Sequence, residues 1–269
     1  MAKMSTQSIP SGVGTAVQFD VEGPIARVRL NRPESRNAIN GDVTRAMVWI
    51  VNAVECDQSI AVAILESSTP GTFCAGADLA EIARGGGADL VDDTCGFGGF
   101  IKAQKTKPWI AAVDGPAMGG GFEFALNCDM IVASDRARFG LPEVKRGLMA
   151  MAGGAIRLSR HLPRALALEA IATGDPITPD IALAHGLINR LVLSDQLAET
   201  TLDLARRIAR NAPLAVRESL VLARAASAFD EAVLWQANDA ALGRIVQSND
   251  AREGPRAFLE KREPKWSGT

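Results

Sequence analysis

Apolar and polar positions in the first half of the chain predict a series of β-strands. Residues 16–22 and 24–30 have strand-like composition, and Gly23-Pro24 between them is a turn signal, so this stretch predicts a β-hairpin. Three continuous apolar runs follow, at residues 60–65, 109–113 and 130–133. Runs of this length with β-branched side chains are typical of strands that are buried on both faces.

Helical spacing separates these strands and dominates the end of the chain. Asn40 is placed to cap a helix that runs to about Asp57, and a short helix is expected from Gly120 to Cys128. Thr178 followed by Pro179 is typical of another helix start. Four further helices are predicted at residues 196–210, 214–226, 230–247 and 250–261. Strands that alternate with helices favour an α/β fold with parallel pairing.

These elements divide the chain into three predicted regions. Residues 1–15 are expected to be flexible, residues 16–198 to form an α/β core, and residues 199–269 to form a helical C-terminal segment. Within the core, the glycine-rich stretch Gly85–Gly99 is interpreted as a mobile surface loop, of the kind that often lies over an active site.

Composition excludes several classes of function. The 269 residues carry 29 Lys and Arg against 31 Asp and Glu, a net charge of −2, which makes nucleic acid a poor partner. No apolar run approaches the length of a membrane span, and the first 15 residues lack an apolar signal segment, so a cytoplasmic protein is expected. Four cysteines without a CxxC and only two histidines predict neither disulfides nor a metal site.

The segment FCAGADL, residues 73–79, is the first candidate for chemistry. Asp78 followed by Glu81 has the spacing of a capping box, and a helix start alone is a sufficient explanation for Asp78. The small residues before it leave backbone N–H groups unshielded, so this segment can also donate hydrogen bonds to a ligand.

A glycine run and two glutamates form the second candidate. Gly119, Gly120 and Gly121 follow a predicted strand and open a helix, where they allow either a tight turn or an anion site at backbone N–H groups. Glu123 lies on the first turn of that helix, and Glu143 follows Pro142. Taken singly, Glu123 is explained by the favourable charge at a helix N-terminus, and Glu143 is explained by a surface position. Two carboxylates that face one water can instead divide the roles of acid and base.

Together, FCAGADL, GGGFE (119–123) and FGLPE (139–143) resemble the crotonase family of enoyl-CoA hydratases and isomerases. The segment from Asn31 to Ala38 is similar to the family's early CoA-contacting segment, GLINR (186–190) to a later element, and the tail 253–266 to its closing helix. The resemblance covers residues 16–266 and looks most like the carnitinyl-CoA dehydratase branch. It implies a crotonase-like spiral of repeated ββα units with a helical C-terminal segment.

The resemblance also implies a site. The N–H groups of Ala75 and Gly120 are expected to bind the thioester oxygen, Glu143 to act as the acid, and Glu123 to help activate water. The substrate-contacting residues it implies are Arg36, Ala38, Ala75, Gly76, Ala77, Asp78, Leu79, Gly119, Gly120, Pro142, Met151, Phe258 and Lys261. Many hydratases carry Pro-Gly where this chain has Ala150-Met151, which leaves the acyl preference open. Ordinary helix packing and a solvated charge are the alternatives for Phe258 and Lys261.

The expected function is the reversible hydration of a 2-enoyl-CoA thioester or the dehydration of a 3-hydroxyacyl-CoA. Coenzyme A enters only as part of the substrate, with no other cofactor and no metal. Isomerase or thioester hydrolase activity on the same scaffold is the enzymatic alternative, and a non-catalytic crotonase-like binding protein is the alternative of another class. Apolar residues on the last helices, together with the resemblance, predict a homotrimer or a dimer of trimers.

Overall fold

The computed structural model describes residues 15–269, in which the chain forms ten strands and ten α-helices. The strands are β1 Val17–Glu22, β2 Ile25–Leu30, β3 Val62–Ser67, β4 Val91–Asp92, β5 Gly96–Phe97, β6 Trp109–Val113, β7 Pro116–Met118, β8 Met130–Ser134, β9 Arg138–Gly140 and β10 Arg190–Val192. The helices are α1 Gly41–Cys56, α2 Leu79–Ala83, α3 Gly120–Leu126, α4 Gly154–His161, α5 Arg164–Thr173, α6 Pro179–Ala184, α7 Leu197–Ala209, α8 Pro213–Ala225, α9 Glu231–Gln247 and α10 Asn249–Glu260. The predicted flexible start concerns residues 1–15, of which 1–14 lie outside the described residues.

The main sheet has six strands in the order β1-β2-β3-β6-β8-β10. The predicted hairpin is confirmed, because β1 and β2 pair antiparallel with Val17 opposite Leu30. Every other neighbouring pair in this sheet is parallel, as the alternation of strands and helices predicted. The last strand, β10, was not predicted, since three residues are too few to show a period.

A second layer of short β-pairings repeats with each turn of the chain. Ile39 bridges Ala77, Cys74 bridges Ala117, β7 pairs with β9, and Phe139 bridges Ile177. Each turn therefore supplies one strand to the main sheet and one short stretch to the second layer. This arrangement is the predicted spiral of ββα units.

Both faces of the main sheet are buried, as the continuous apolar runs predicted. Ala63 and Leu65 of β3 pack in the larger core with α1, while Val62 and Ile64 point to the opposite face and pack in a second core. The period of two along a strand explains this split. Leu197 and Ala205 of α7 close the second core.

The helix predictions are confirmed to within a residue or two at α1, α7, α8, α9 and α10. At α6, Pro179 is the first helical residue as predicted, but the Thr178 side chain makes no capping hydrogen bond. The predicted boundary near residue 198 falls at the start of α7, which packs against the main sheet. By its packing, α7 belongs with the core, and α8 packs on α9 beyond it. No helix within residues 15–269 is long and apolar enough to cross a membrane.

The stretch Gly85–Gly99 is not the open loop that its composition suggested. It contains a short 3-10 turn at Gly86–Leu90 and the hairpin of β4 and β5. A methyl group at Gly98 would overlap the ring of Phe124, and one at Gly99 would overlap the backbone of α1. Gly98 and Gly99 are therefore required by close packing against α3 and α1, whereas Gly85 has nothing within 4 Å of an added methyl group.

Candidate active site

Glu123 is a buried carboxyl group on α3. Its side chain lies on a helix whose seven residues are all buried, and Glu123 itself is 3% exposed. Oε1 accepts a hydrogen bond of 2.8 Å from the N–H of Gly154, the first residue of α4. Burial raises the pKa of Glu123 to about 7, and the nearby charge of Glu143 adds to the rise.

Glu143 faces the same region from the opposite side. It lies in the 3-10 turn Pro142–Arg146, and a methyl group at Gly119 would lie 2.9 Å from its Oε1. Gly119 has a φ of 51°, so a side chain there would be strained as well as crowded. Burial raises the pKa of Glu143, and its Oε2 is buried without a hydrogen-bond partner among residues 15–269.

The charge of Glu143 acts on Glu123. A negative charge on Glu143 disfavours a second one on Glu123, which adds to the effect of burial and raises the pKa of Glu123 further. The Gly154 N–H favours the carboxylate at Glu123, whereas the unpartnered Oε2 of Glu143 is free to hold and deliver a proton. The arrangement suits one general base and one general acid.

Backbone donors lie beside the glutamates, although the pair differs from the predicted one. Ala75 N–H donates to Arg36 O at 3.0 Å, so the expectation that Ala75 supplies a free donor is wrong for this structure. The N–H groups of Ala77 and Gly120 have no acceptor within residues 15–269. A methyl group at Gly120 would lie 3.6 Å from Ala77 N, which places the two donors close together.

The bridge between Ile39 and Ala77 explains why Ala77 is free. Ile39 N–H donates to Gly76 O, and Asp78 N–H donates to Ile39 O. A parallel bridge uses the groups before and after Ala77, so the N–H of Ala77 points to the other side, toward Gly120. Gly76 has a φ of 98°, and a methyl group there would lie 2.8 Å from Met118 O, so only glycine fits this turn.

Asp78 anchors this segment through both of its carboxylate oxygens. Its Oδ1 accepts from the N–H groups of Ala80 and Glu81, which caps α2 as predicted. The box is not reciprocal, because Glu81 accepts from Gly41 N–H instead. Oδ2 pairs with Arg32 at 3.0 Å, and this guanidinium and the capping N–H groups hold the pKa of Asp78 below its usual value despite burial.

The other predicted contact residues differ in how they are presented. Arg36 is exposed in a left-handed turn, Ala38 is buried beside it, and Leu79 is 48% exposed at the start of α2. Pro142 begins the turn that carries Glu143, and Met151 is 77% exposed between the buried Ala150 and Ala152.

Phe258 and Lys261 are not brought to the glutamates. Both are exposed at the end of α10, with Phe258 at 82%. No hydrogen bond or ion pair within residues 15–269 joins either of them to Glu123 or Glu143.

Several supporting residues were not predicted. Phe97 of β5 packs on the glycine run, since a methyl group at Gly120 would lie 2.5 Å from its ring. Gly154 donates to Glu123, and Arg157 organises the turn before it. The turn Ala152–Gly154 had one signal in the sequence, which is the pair of consecutive glycines, Gly153-Gly154, ahead of the basic Arg157.

Comparison with known proteins identifies the family of this chain. A family model described as enoyl-CoA hydratase/isomerase matches residues 20–269. The chain is 36% identical over 258 residues to the carnitinyl-CoA dehydratase of Proteus mirabilis, a match that covers 94% of this chain and 98% of that protein. It is 37% identical over 275 residues to the mevalonyl-coenzyme A hydratase of Aspergillus fumigatus, with 98% of each covered.

Solved structures give the same result. The enoyl-CoA hydratase of Mycobacterium tuberculosis H37Rv matches with a TM-score of 0.91 and 38% identity, over 95% of this chain and 100% of that one. The carnitinyl-CoA hydratase of Mycobacterium avium matches with a TM-score of 0.75 and 39% identity, over 95% and 100%. The crotonase fold and the family resemblance that the sequence motifs predicted are confirmed, and the chain belongs to the enoyl-CoA hydratase/isomerase family.

Proposed function

We propose that this chain catalyses the reversible addition of water to a 2-enoyl-CoA thioester, and in the other direction the dehydration of a 3-hydroxyacyl-CoA. The observation that carries the proposal is the pair of a buried Glu123 and a half-buried Glu143, both with raised pKa values, beside two unpaired backbone donors. Withdrawing two neighbouring carboxyl groups from water is costly, so a chemical role accounts for the arrangement better than a structural one.

The thioester oxygen is placed between the N–H groups of Ala77 and Gly120. Addition to the double bond builds negative charge on this oxygen as an enolate forms, and fixed donors stabilise that charge by about 3 kcal/mol each. Gly76 and Gly119 leave the backbone open for this close approach. The donors therefore lower the barrier without a metal in the mechanism.

The two glutamates supply and remove the protons. Glu123 takes a proton from water as the water oxygen bonds to the β-carbon, and Glu143 delivers its proton to the α-carbon. One water is added overall, and the proton gained by Glu123 replaces the one lost by Glu143 when the pair re-equilibrates. In dehydration the same steps run backward, with the roles exchanged.

The alternatives ask for a different site. Isomerisation moves one proton between two carbons and needs a single acid–base group, whereas both carboxyls are present here. Thioester hydrolysis needs water at the carbonyl carbon rather than the β-carbon. A purely binding role leaves unexplained the cost of withdrawing two neighbouring carboxyl groups from water.

The experiment is turnover on a panel of CoA thioesters. The panel contains 2-enoyl, 3-enoyl and saturated acyl groups, together with 3-hydroxyacyl groups of the carnitinyl and mevalonyl type named for the relatives. Hydration of 2-enoyl thioesters is expected to exceed isomerisation of 3-enoyl thioesters and release of free CoA. Faster conversion of the 3-enoyl thioester, or release of CoA from the saturated one, overturns the proposal.

We also propose that the working enzyme is a homotrimer or a dimer of trimers. The proposal is supported by exposed apolar residues on α9, where Trp235, Leu242 and Val246 are each more than half exposed and lie on one face by their spacing of seven and four. Phe258 and Lys261 then reach CoA only if a neighbouring copy brings its site to them.

A further inference from the structure

The turn Ala152–Gly154 controls the environment of Glu123. Gly154 N–H donates to Oε1 of Glu123 at 2.8 Å, and the N–H of Ala152 also faces the carboxylate. Both donors favour the ionised form that a general base requires. The turn has little intrinsic rigidity, because Gly153 adopts a φ of 91° and precedes a second glycine.

Arg157 lies on the first helical turn of α4, and its guanidinium reaches back across the segment Ala152–Gly154. Its Nη1 donates to Ala152 O at 2.9 Å, and its Nη2 donates to Ile101 O at 3.3 Å. A methyl group at Gly153 would overlap the guanidinium, so the planar group lies directly against the glycine backbone. Arg157 thus joins the turn that supports Glu123 to the segment that follows Phe97.

The second of these contacts is not the essential one. The backbone next to Ile101 is held independently, because Asn127 donates to Phe100 O at 2.9 Å and Lys105 donates to the same oxygen at 3.3 Å. The carbonyl of Ala152 has Arg157 as its side-chain donor. Loss of Arg157 is therefore expected to release the turn Ala152–Gly154 rather than the Phe97 segment.

We infer that Arg157 is a positioning residue for catalysis: by holding the turn Ala152–Gly154 it aims two backbone donors at the carboxyl group of Glu123 beside Glu143. It makes no ion pair with Glu123 within residues 15–269, so it acts mainly through the backbone. The charged groups that face Glu123 are Glu143, which disfavours its ionised form, and Arg157, which favours it. The inference rests on the proposed function for its kinetic consequence, but not for its structural one.

The sign of the expected pH effect follows from these charges. Without Arg157, Glu123 loses a charge that favours its ionised form and the turn that holds its backbone donors is released, so its titration moves to higher pH. Since the base must be ionised, the acidic limb of the hydration profile moves to higher pH with it. Arg157→Met is expected to lower kcat about tenfold or more at neutral pH, with KM for crotonyl-CoA changed less than about twofold.

The test uses three variants and two kinds of measurement. Arg157→Met removes the guanidinium, Arg157→Lys keeps the charge without the planar fork, and Arg160→Met removes an exposed charge from the same helix as a control. Carbon-13 NMR of carboxyl-labelled glutamate follows the titration of Glu123, assigned by its absence in Glu123→Gln. Amide hydrogen exchange follows Gly154, and kcat against pH follows catalysis.

In Arg157→Met the Glu123 midpoint is expected to rise by about half a pH unit or more, and Gly154 to exchange about tenfold faster. Arg157→Lys is expected to keep the midpoint closer to that of the unaltered protein and still show faster exchange at Gly154. Arg160→Met is expected to leave all three measurements unchanged. If Arg157→Met does not fold, Arg157→Lys decides by its exchange rate.

Unchanged titration and unchanged Gly154 exchange in the folded variants overturn the inference. If the unaltered protein fails to hydrate any enoyl-CoA, the proposed function fails, and the titration and exchange results still decide the role of Arg157.

Discussion

At the scale of single residues, the site depends on where backbone N–H groups are already used. The residues Glu123, Glu143 and Gly120 could be predicted from the sequence, because their motifs are specific when taken together. The second backbone donor could not be predicted, because Ala75 and Ala77 are both alanines in the same segment. Which of their N–H groups is free depends on the bridge to Ile39. The role of Arg157 could not be predicted either, because its guanidinium donates to backbone carbonyl groups. One belongs to the distant Ile101 and the other to Ala152 in an irregular turn.

Gly120→Ala tests the donor geometry at this scale. The added methyl group meets the Phe97 ring at 2.5 Å, so either the ring or the N–H must move away from the thioester oxygen. We expect kcat/KM for crotonyl-CoA to fall by about 10²-fold, the usual cost of losing one oxyanion donor. Gly243→Ala is the matched control, because nothing lies within 4 Å of a methyl group there.

Binding of free CoA shows whether a loss of kcat/KM in Gly120→Ala comes from the oxyanion donor or from damage to the CoA site. We expect CoA to bind within about twofold of the unaltered protein, since the donor acts on the acyl oxygen. Catalysis equal to that of Gly243→Ala would mean that the glycine run serves only the turn.

At the scale of elements, periodicity predicted the long elements and failed on the short ones. α1 has sixteen residues of helical pattern, and the side-chain oxygen of Asn40 accepts a hydrogen bond from Val43 N–H at its start. β10 and the bridges of the second layer are three residues or fewer, and their positions come from pairing with distant strands. The glycines of Gly85–Gly99 were ambiguous, because a mobile loop and a tightly packed hairpin both require them.

The attachment of α8 to the core gives the prediction at this scale. Arg224 donates to both oxygens of Asp129, at 2.7 and 2.8 Å, and to Lys107 O at 3.0 Å. Asp129 is 14% exposed, so Arg224→Met leaves a nearly buried carboxylate without this partner. We expect the free energy of unfolding in urea, followed by tryptophan fluorescence, to fall by about 3 kcal/mol.

Arg45→Met is the control for Arg224→Met. Arg45 and Asp42 form a pair of exposed side chains on α1, and such pairs contribute less than about 1 kcal/mol. Equal stabilities for the two variants would show that the contact between α8 and the core carries little of the stability.

At the scale of the whole molecule, the spiral brings distant segments to one site. Ala77 precedes α2, Gly120 begins α3, and Glu143 follows β9, and these segments meet because each turn adds one stretch to the second layer. The family and its fold were therefore predictable from motifs alone, whereas the contacts between turns were not.

Light scattering tests the assembly. We expect the mass of a trimer or hexamer at micromolar concentration, and Trp235→Glu to reduce it, because the charge would be buried at the interface. Glu231, which accepts from Trp235 Nε1 at 3.2 Å, gives the control Glu231→Gln. A stable monomer that retains full activity would contradict both the assembly and any contribution of Phe258 and Lys261 to a neighbouring site.

The most direct test of the central claim is hydration of crotonyl-CoA by Glu123→Gln and Glu143→Gln. Each amide is isosteric but can neither accept nor deliver the proton, so we expect each variant to lose at least about 10²-fold in kcat with unchanged thermal stability. Glu199→Gln, on the exposed side of α7, is expected to match the unaltered protein. If either variant of the pair turns over at the unaltered rate, that glutamate has no part in the chemistry and the paired-carboxyl mechanism is wrong.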